Sequence, residues 1–376
     1  MKQIAILGAG FAALKAVSSL RARDKNIQIT LISPESEFLY YPSLIWIPSR
    51  ARHARDIVAP LGRFFHRMGV THRAATVTGL DTGRRCVLTD DGEVKYDGLI
   101  IACGSRYIKK LPGLEHAYIP CEGTTQSEAV RDRLESLDGG VIAVGFGGNP
   151  KEPSAVRGGP MFEFLFGMHN QLRREGRRDR FKIVFFNPMT EPGKRLGSKA
   201  VTGLVNTMKN RGIEAHLGHK IKGFETNKVL TEGGDIPADL ILFTPGMTGL
   251  PWFADSDLPL SAGGMIQADT HCRVAGLEGV YVAGDAGSFP GPEWMPKQAH
   301  SAELQAATAA VNLLAEMSGG NTDKTFRAEL VCVVDDLDSG MLVARTPRFS
   351  LVLPPLRALH WSKTFLEWRC LRKYRN

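Results

Sequence analysis

The chain of 376 residues is long enough for two or three domains of ordinary size. Apolar residues make up 43% and charged residues 23%, which indicates a globular protein with a large core. The net charge of +8 favours anionic partners such as dinucleotides, anionic membrane surfaces or nucleic acids. We predict no nucleic-acid partner, because the sequence contains no basic and aromatic recognition module.

Signals for export, membrane spanning and metal binding are missing from the sequence. Met1-Lys2 leads directly into the apolar run Gln3 to Leu7, so we predict no signal peptide. The longest apolar runs fall short of the roughly 18 residues that a membrane-spanning helix needs. The cysteines form no CxxC pair and no zinc-like cluster, so we predict no metal site.

The first predicted unit is a strand, a glycine-rich turn, a helix and a second strand. The strand Gln3 to Leu7 is followed at once by Gly8-Ala9-Gly10-Phe11-Ala12-Ala13, a helix to about Arg23 and the β-rich run Ile27 to Ser33. Gly8 allows a tight turn, Gly10 lets a diphosphate approach the backbone, and Ala13 allows close packing of helix on strand. The pattern predicts a Rossmann-type dinucleotide-binding fold, with the diphosphate at the helix N-terminus.

A longer pattern occurs twice. A polar hairpin, an aspartate and a buried strand that ends in glycine occupy residues 87–104 and again 229–246. A second glycine turn, Gly145 to Gly148, lies between the two copies, and a further strand is predicted at Phe181 to Phe186. The repetition indicates two dinucleotide-type domains related by duplication.

The last third of the chain contains one more strand, a helix and a distinct tail. The strand Gly279 to Ala283 ends in Gly284-Asp285, and a helix is predicted from about Gln298 to Glu316. Beyond Thr325 the sequence is β-rich and then basic. We therefore predict an α/β fold with two Rossmann-type domains, a C-terminal β-rich piece and an amphipathic helical tail. The expected division is 1–110 with 265–325, then 111–264, then 326–376.

The order of these motifs resembles that of the two-dinucleotide-binding-domain flavoproteins, the glutathione-reductase-like class. GAGFAA, then YDGLIIACGS, then VYVAGDA is the usual order of that class, and it covers nearly the whole chain. The resemblance implies FAD as cofactor, with Asp285 bonding its ribityl chain or pyrophosphate. The cofactor-binding residues that we expect are Gly8, Gly10, Phe11, Ala12, Ala13, Ser33, Glu35, Pro42, Ser43, Cys103, Gly104, Gly284, Asp285, Lys297 and Gln298.

A narrower resemblance is to the sulfide:quinone oxidoreductases and the flavin subunit of flavocytochrome c sulfide dehydrogenase. The segment Phe38 to Ser43 looks like the family's approach to the flavin ring. Gly159 to Phe164 resembles its Gly-Pro-x-aromatic-Glu turn, and Lys297 to His300 resembles its Lys-Gln-Gly-His. The segment around Cys332 matches one that carries a redox cysteine in the family.

Cysteine chemistry in this family depends on the thiolate, which is the nucleophilic form. The resemblance makes Cys332 the first catalytic candidate and Cys121 the second; from its surroundings alone Cys332 would be a buried structural residue. We expect Cys103 to pack beside the cofactor. The family usually carries another redox cysteine just before the Gly-Pro turn, and here the segment reads PSAVRGGP. Either Cys121 replaces it, or Cys332 uses an external sulfur acceptor, or the substrate is not sulfide.

Two charged residues are further candidates. Glu163 could move protons near the flavin, or it could be an ordinary charge at a helix N-terminus. Lys297 could stabilise negative charge on the flavin, or it could be a solvated surface lysine.

The second glycine turn lacks the features of a nicotinamide site. Gly145 to Gly148 leads to Asn149-Pro150-Lys151-Glu152-Pro153, and two prolines there disfavour a helix start. The strand that follows ends in Asn187-Pro188, without the acid that binds an NAD ribose. We therefore interpret 111–264 as a domain with a degraded nicotinamide site.

The tail combines aromatic and basic residues at helical spacing. Trp361, Phe365 and Trp368 recur on one face, in a segment rich in arginine and lysine. This composition suits a membrane interface, although a helix packed on the protein's own core or on a dimer partner is the alternative. We expect a membrane quinone to be reached through apolar residues from Phe349 to Phe365.

Together these features predict oxidation of sulfide, or a related reduced sulfur species, through a cysteine persulfide, with electrons passing by FAD to a membrane quinone. We expect the protein to form a homo-oligomer. We also expect it to be a peripheral protein of the cytoplasmic membrane. The alternatives are a type II NADH:quinone dehydrogenase and a flavin-binding protein without catalytic activity.

Overall fold

The structure, a computed structural model, describes residues 2–376; Met1, where the first predicted domain begins, lies outside them. The α-helices of the described chain are numbered in order. They are α1 (Phe11–Arg21), α2 (Ala54–Ile57), α3 (Gly62–Met68), α4 (Thr124–Ser136), α5 (Gly158–Arg174), α6 (Ser198–Asn210), α7 (Pro251–Ala254), α8 (Ala299–Met317) and α9 (Arg357–Arg375).

The first parallel sheet joins strands from both ends of the chain. Its spatial order is Val280–Val282, Gly98–Ile101, Gln3–Leu7, Gln28–Ser33 and Val70–Ala74. The three strands Val280–Val282, Gly98–Ile101 and Gln3–Leu7 are mostly apolar, as expected for a sheet covered on both faces, whereas the edge strand Val70–Ala74 is polar and partly exposed. Alternate residues of one strand enter different cores: Ile4 and Ile6 face the core that contains α1 and α8, and Ala5 and Leu7 face the other.

The second parallel sheet repeats this architecture. Its order is Ile213–Leu217, Phe181–Asn187, Gly140–Phe146 and Leu240–Thr244. In each repeat a three-stranded antiparallel sheet comes directly before one strand of the parallel sheet, Gly98–Ile101 in the first repeat and Leu240–Thr244 in the second. One consists of Val77–Asp81, Cys86–Thr89 and Gly92–Lys95, and the other of Ile221–Glu225, Lys228–Thr231 and Ile236–Pro237. The duplication predicted from the sequence is therefore present in the fold.

The C-terminal piece is an antiparallel sheet followed by a helix. The strands are Leu330–Asp335, Gly340–Thr346 and Phe349–Leu356, and α9 packs against the first two. Three short pairs complete the strands: Glu37–Leu39 with Val58–Pro60, Arg106–Tyr107 with Met247–Thr248, and Ile266–Gln267 with Gly287–Ser288. The predicted fold class, with two Rossmann-type units, a β-rich piece and a helical tail, is confirmed; the domain boundaries stay a prediction.

Candidate functional site

A single large cleft of about 2830 Å³ brings most of the predicted site residues together. The two parallel sheets and the C-terminal piece all contribute to its walls. The predicted residues that line it are Gly8, Gly10, Phe11, Ala12, Ser33, Glu35, Pro42, Cys103, Gly104, Cys121, Glu163, Gly284, Asp285, Lys297, Gln298 and Cys332.

Five predicted residues lie outside the lining of this cleft. Ala13 is fully buried behind it, in agreement with its expected role in packing helix on strand. Ser43 is also fully buried, and its hydroxyl donates a hydrogen bond to Glu367 of α9. Phe349, Trp361 and Phe365 are exposed on the outer surface. Ser43 was predicted to bind the cofactor, but in the structure its hydroxyl contacts Glu367 instead of facing the cleft.

The glycine turn before α1 has the shape that a dinucleotide needs. Gly8 has φ of +101°, and a Cβ there would lie 2.6 Å from the carbonyl oxygen of Ala102, so no other residue fits. A Cβ on Gly10 would meet nothing within 4 Å, because Gly10 faces the open cleft. No side chain caps the first N–H groups of α1. These free donors and the helix dipole form a cradle for a diphosphate.

At the same carboxyl edge of the sheet, after the neighbouring strand, Ser33 and Glu35 differ in their availability. The hydroxyl of Ser33 donates to the carbonyl oxygen of Glu35 at 2.7 Å and contacts His72 at 3.1 Å, so it shapes the turn. The side chain of Glu35 is exposed in the cleft. Of the two expected ribose-binding residues, Glu35 is the one that is free to accept a hydroxyl.

Arg157 is a site residue that the sequence prediction missed. Its guanidinium forms an ion pair with Asp285 and lies 5.9 Å from the ring centroid of Tyr41. Arg157 lies in the segment before Gly159-Pro160, where the resembled family usually carries its second redox cysteine. The missing cysteine was the sequence signal that this segment differs from the family. A role for Arg157 could not be assigned from the sequence, because its pairing with Asp285 is visible only in the structure.

Cys332 and Glu163 both lie near the first turns of α5 and line the same cleft. A Cβ on Gly159 would lie 3.7 Å from Sγ of Cys332, so the thiol packs against the Gly-Pro turn. Oε1 of Glu163 accepts a hydrogen bond from the backbone N–H of Asp335 at 2.9 Å and an ion pair from Lys363 of α9. Glu163 is therefore a buried, fully engaged carboxylate and not a surface charge at a helix end.

Burial controls the protonation of this cluster. Burial raises the pKa of Glu163 to about 7, with Lys363 acting in the opposite direction. Burial, with a smaller contribution from the Glu163 charge, raises the pKa of Cys332 to about 12. At neutral pH Cys332 is thus a thiol and needs a base to become nucleophilic, and Glu163 titrates in the range where it can accept that proton.

The other cysteines are also thiols in this structure. Burial raises the pKa of Cys121 to about 11, and the Arg157 charge lowers it slightly. Burial raises the pKa of Cys103 to about 12. Cys370 of α9 lines the cleft as well, whereas Cys86 and Cys272 are buried outside it. Cys121 and Cys332 line the same cleft, and the role of Cys121 as partner thiol stays a prediction.

The sequence matches the pyridine nucleotide-disulphide oxidoreductases over residues 2–307, which is most of its length. The chain belongs to this family. It is a flavoprotein oxidoreductase. The cradle described above fits such a cofactor.

Individual relatives agree with the narrower resemblance. The sulfide-quinone reductase of Aquifex aeolicus is 23% identical over 100% of this chain and 91% of its own length. The solved structure of the Aquifex aeolicus sulfide:quinone oxidoreductase has a TM-score of 0.91 at 21% identity, covering 100% of this chain and 92% of that one. A demethylphylloquinone reductase of Synechocystis is 24% identical over 84% of this chain and 80% of its own length. An NADH dehydrogenase-like protein of Mycobacterium tuberculosis is 25% identical over 76% and 72%. The resemblance to sulfide:quinone oxidoreductases is thus confirmed as a likeness of sequence and fold.

Lys297 is half-buried, and its ammonium faces backbone oxygens. It donates to the carbonyl oxygen of Asp285 at 3.2 Å and also to that of Gly287. Burial lowers the pKa of Lys297. The lysine therefore braces the turn that carries Asp285, and it also lines the large cleft. Gln298, the next residue, donates to the carbonyl oxygen of Val331 at 3.3 Å, beside Cys332.

The second parallel sheet lacks a helix directly after its glycine turn. The strand Gly140–Phe146 ends, and α5 begins only at Gly158, as the two prolines predicted. The side chain of Asn187 donates to the carbonyl oxygen of Phe146 at 2.8 Å and is 1% exposed. A buried amide thus occupies the strand end where an NAD-binding domain presents an acid.

Helix α9 exposes its aromatic face. Trp361 is 66% exposed, Phe365 56% and Trp368 51%. The inner face of the helix lines the large cleft at Lys363. Leu366 is half exposed and also lines the cleft. No helix within residues 2–376 is long and apolar enough to cross a membrane.

Proposed function

We propose that this protein binds FAD and oxidises sulfide, or a related reduced sulfur species, at Cys332, with electrons passing to a membrane quinone. The observation that carries the proposal is the placement of Cys332 against Gly159 of α5, the helix that also carries the buried base Glu163. Both line the same cleft as the dinucleotide cradle. A flavin bound in that cleft would supply a two-electron acceptor next to the thiol.

The residues of the chain have separable roles in this proposal. With the cofactor bound, Gly8 and Gly10 would admit its diphosphate to the N-terminus of α1, and Asp285 would accept hydrogen bonds from its ribityl hydroxyls. Glu163 takes the proton of the Cys332 thiol. The S–S bond between Cys332 and the incoming sulfide then forms with loss of two electrons, which the flavin would accept, while the sulfide proton leaves to solvent. Support for this assignment comes from the pKa of Glu163, which lies at about 7 because the carboxylate is buried.

Arg157 stands in the region of the missing family cysteine, so the fate of the bound sulfur differs from that in relatives with two redox cysteines. Cys121 could complete a pair with Cys332, or an external acceptor could take the sulfur. Mass spectrometry after one equivalent of sulfide distinguishes them. Sulfide-derived sulfur found on Cys121 favours the first route, and a persulfide confined to Cys332 favours the second.

Access to quinone is proposed through α9. Its aromatic face lies outward, with arginines and lysines around it, as a peripheral membrane helix requires. Leu366 links that face to the cleft. We propose that the aromatic face enters the bilayer surface and that quinone approaches the flavin from this side.

The decisive experiment is anaerobic stopped-flow reduction of the FAD-loaded protein. Sulfide is expected to bleach the flavin in the wild type and to fail in Cys332→Ser, while Cys86→Ser, a thiol outside the cleft, keeps the wild-type rate. Rapid bleaching by NADH without bleaching by sulfide would instead identify an NADH:quinone dehydrogenase, which the relative from Mycobacterium tuberculosis keeps as a second candidate. Absence of turnover with both donors and a short-chain quinone would indicate a non-catalytic flavoprotein.

A further inference from the structure

Helix α9 has its polar face turned inward. His360, Lys363 and Glu367 follow one another at intervals of three and four residues, so they share one side of the helix. Lys363 and Glu367 are buried, whereas Trp361, Phe365 and Trp368 point to solvent. Up to Trp368 this is the reverse of a helix that packs an apolar stripe on a core; only the last turns bury apolar side chains, at Leu371 and Tyr374.

Each inner polar residue contacts a different part of the protein. Nδ1 of His360 lies 2.7 Å from Oδ2 of Asp335, at the end of the strand that carries Cys332. The Lys363 ammonium pairs with Glu163 of α5. Glu367 binds Arg52 at 2.8 Å. The docking of α9 is thus directly connected to the thiol strand and to the proposed base.

The pair of Lys363 with Glu163 is the most sensitive of these contacts. The two side chains are 8% and 6% exposed, and Nζ of Lys363 also lies 5.6 Å from the ring centroid of Trp46. A buried carboxylate that loses its cation becomes neutral by binding a proton instead of remaining charged. The charge of Glu163 therefore depends on a residue of the outermost helix.

We propose that Lys363 is a positioning residue for the thiol chemistry, which holds Glu163 as a carboxylate and so makes deprotonation of Cys332 depend on the docking of α9. The inference rests on the proposed function only in giving Cys332 a reacting role. In the step concerned, the S–H bond of Cys332 breaks and its proton passes to the Glu163 carboxylate. Lys363 keeps its own protons and acts through charge.

The sign of the effect follows from the groups that face Glu163. Lys363 on α9 lowers the pKa of Glu163, while burial and the Asp335 charge raise it. The Glu163 charge in turn raises the pKa of Cys332 and of Cys121, which lie on other walls of the cleft. Removal of the Lys363 charge leaves burial unopposed, so the pKa of Glu163 rises and the base is lost at neutral pH.

The test is the pH dependence of Cys332 alkylation by iodoacetamide, followed by mass spectrometry on the full FAD-loaded chain. A carboxylate that shares a proton with the thiol gives a rise in rate with a midpoint at the carboxylate pKa, about 7 in the wild type. We expect Lys363→Met to move this midpoint upward by about one to three pH units. Lys363→Arg should keep it, and so should Lys209→Met, an exposed lysine on α6. An unmoved midpoint in Lys363→Met would overturn the inference.

A second variant covers the case in which the unpaired Glu163 of Lys363→Met prevents folding. Glu163→Gln/Lys363→Met removes both charges of the pair and leaves no buried ion. It should show no rise in alkylation near pH 7, and a rise with the wild-type midpoint would refute the role of Glu163 and Lys363. Sulfide turnover is measured separately. A protein that shows the midpoint shift but no sulfide oxidation would contradict the proposed function and leave this inference standing.

Discussion

Replacing Gly10 by aspartate should separate flavin binding from folding. Gly10 is the N-cap of α1, with φ of −85° and ψ of −170°, an extended conformation that any residue adopts. A Cβ there meets nothing within 4 Å, so the new side chain enters open space. Aspartate is also a favourable N-cap, and it should stabilise the apoprotein by a few tenths of a kcal/mol relative to glycine, an order-of-magnitude estimate.

The same carboxylate would occupy the cradle and repel a diphosphate. One unit charge about 4 Å from another at an effective dielectric constant of about 20 costs about 4 kcal/mol. Since each 1.4 kcal/mol or so is a factor of ten, FAD affinity should fall about 1000-fold. Titration of the apoprotein with FAD by calorimetry measures the affinity, and thermal unfolding of the apoprotein measures stability.

Gly62→Asp is the matched control. Gly62 is the first residue of α3, and its Cβ position is equally open, but it lies outside the flavin cleft. This variant should bind FAD as the wild type does. FAD affinity within about threefold of the wild type in Gly10→Asp would refute the placement of the diphosphate at α1. A large loss of apoprotein stability would refute the claim that the side chain fits.

Two further predictions concern α9 and Glu163. Trp361→Gln should weaken binding to anionic liposomes by as much as about 3 kcal/mol, because 66% of a side chain of roughly 150–250 Å² is free to enter lipid at about 25 cal/mol per Å². Co-sedimentation measures this, with Met189→Gln as an exposed control away from the helix; equal binding of Trp361→Gln and wild type would exclude the aromatic face as the contact. Glu163→Gln should change how stability depends on pH. The folded pKa of Glu163 is raised to about 7 from 4.5, so its contribution is complete below 4.5 and is lost as pH rises through 7. Urea midpoints of the wild type should therefore fall relative to those of the variant over that range, and parallel curves would contradict the pKa shift.

Local sequence patterns were sufficient to predict the glycine turn before α1, whose role in binding the cofactor stays a prediction. The turn Gly8 to Ala13 lies between an apolar strand and a helix, and these neighbours in sequence are also neighbours in space. Gly284-Asp285 was expected beside the turn by family resemblance, and both line the cleft. The prolines after Gly148 correctly predicted that no helix begins there, because proline restricts its own backbone and that of the residue before it.

Contacts between distant segments could not be predicted in this way. Arg157 and Asp285 are 128 residues apart, and Glu163 and Lys363 are 200 apart. Nothing in the composition of either segment indicates its partner. Ser43 illustrates the same limit, since its neighbours suggested the flavin and the fold directs its hydroxyl to Glu367.

The sequence by itself determined the class of fold, the diphosphate cradle and the aromatic face of the tail, because each depends on periodicity or on backbone conformation within a short segment. Only the tertiary structure decided that Lys363 and Glu367 lie on the buried side of α9. Charged residues at helical spacing ordinarily indicate a solvent-facing surface. Here Glu163 and Arg52, from two other segments, compensate them, and that compensation exists only once the C-terminal helix has packed against the rest of the protein.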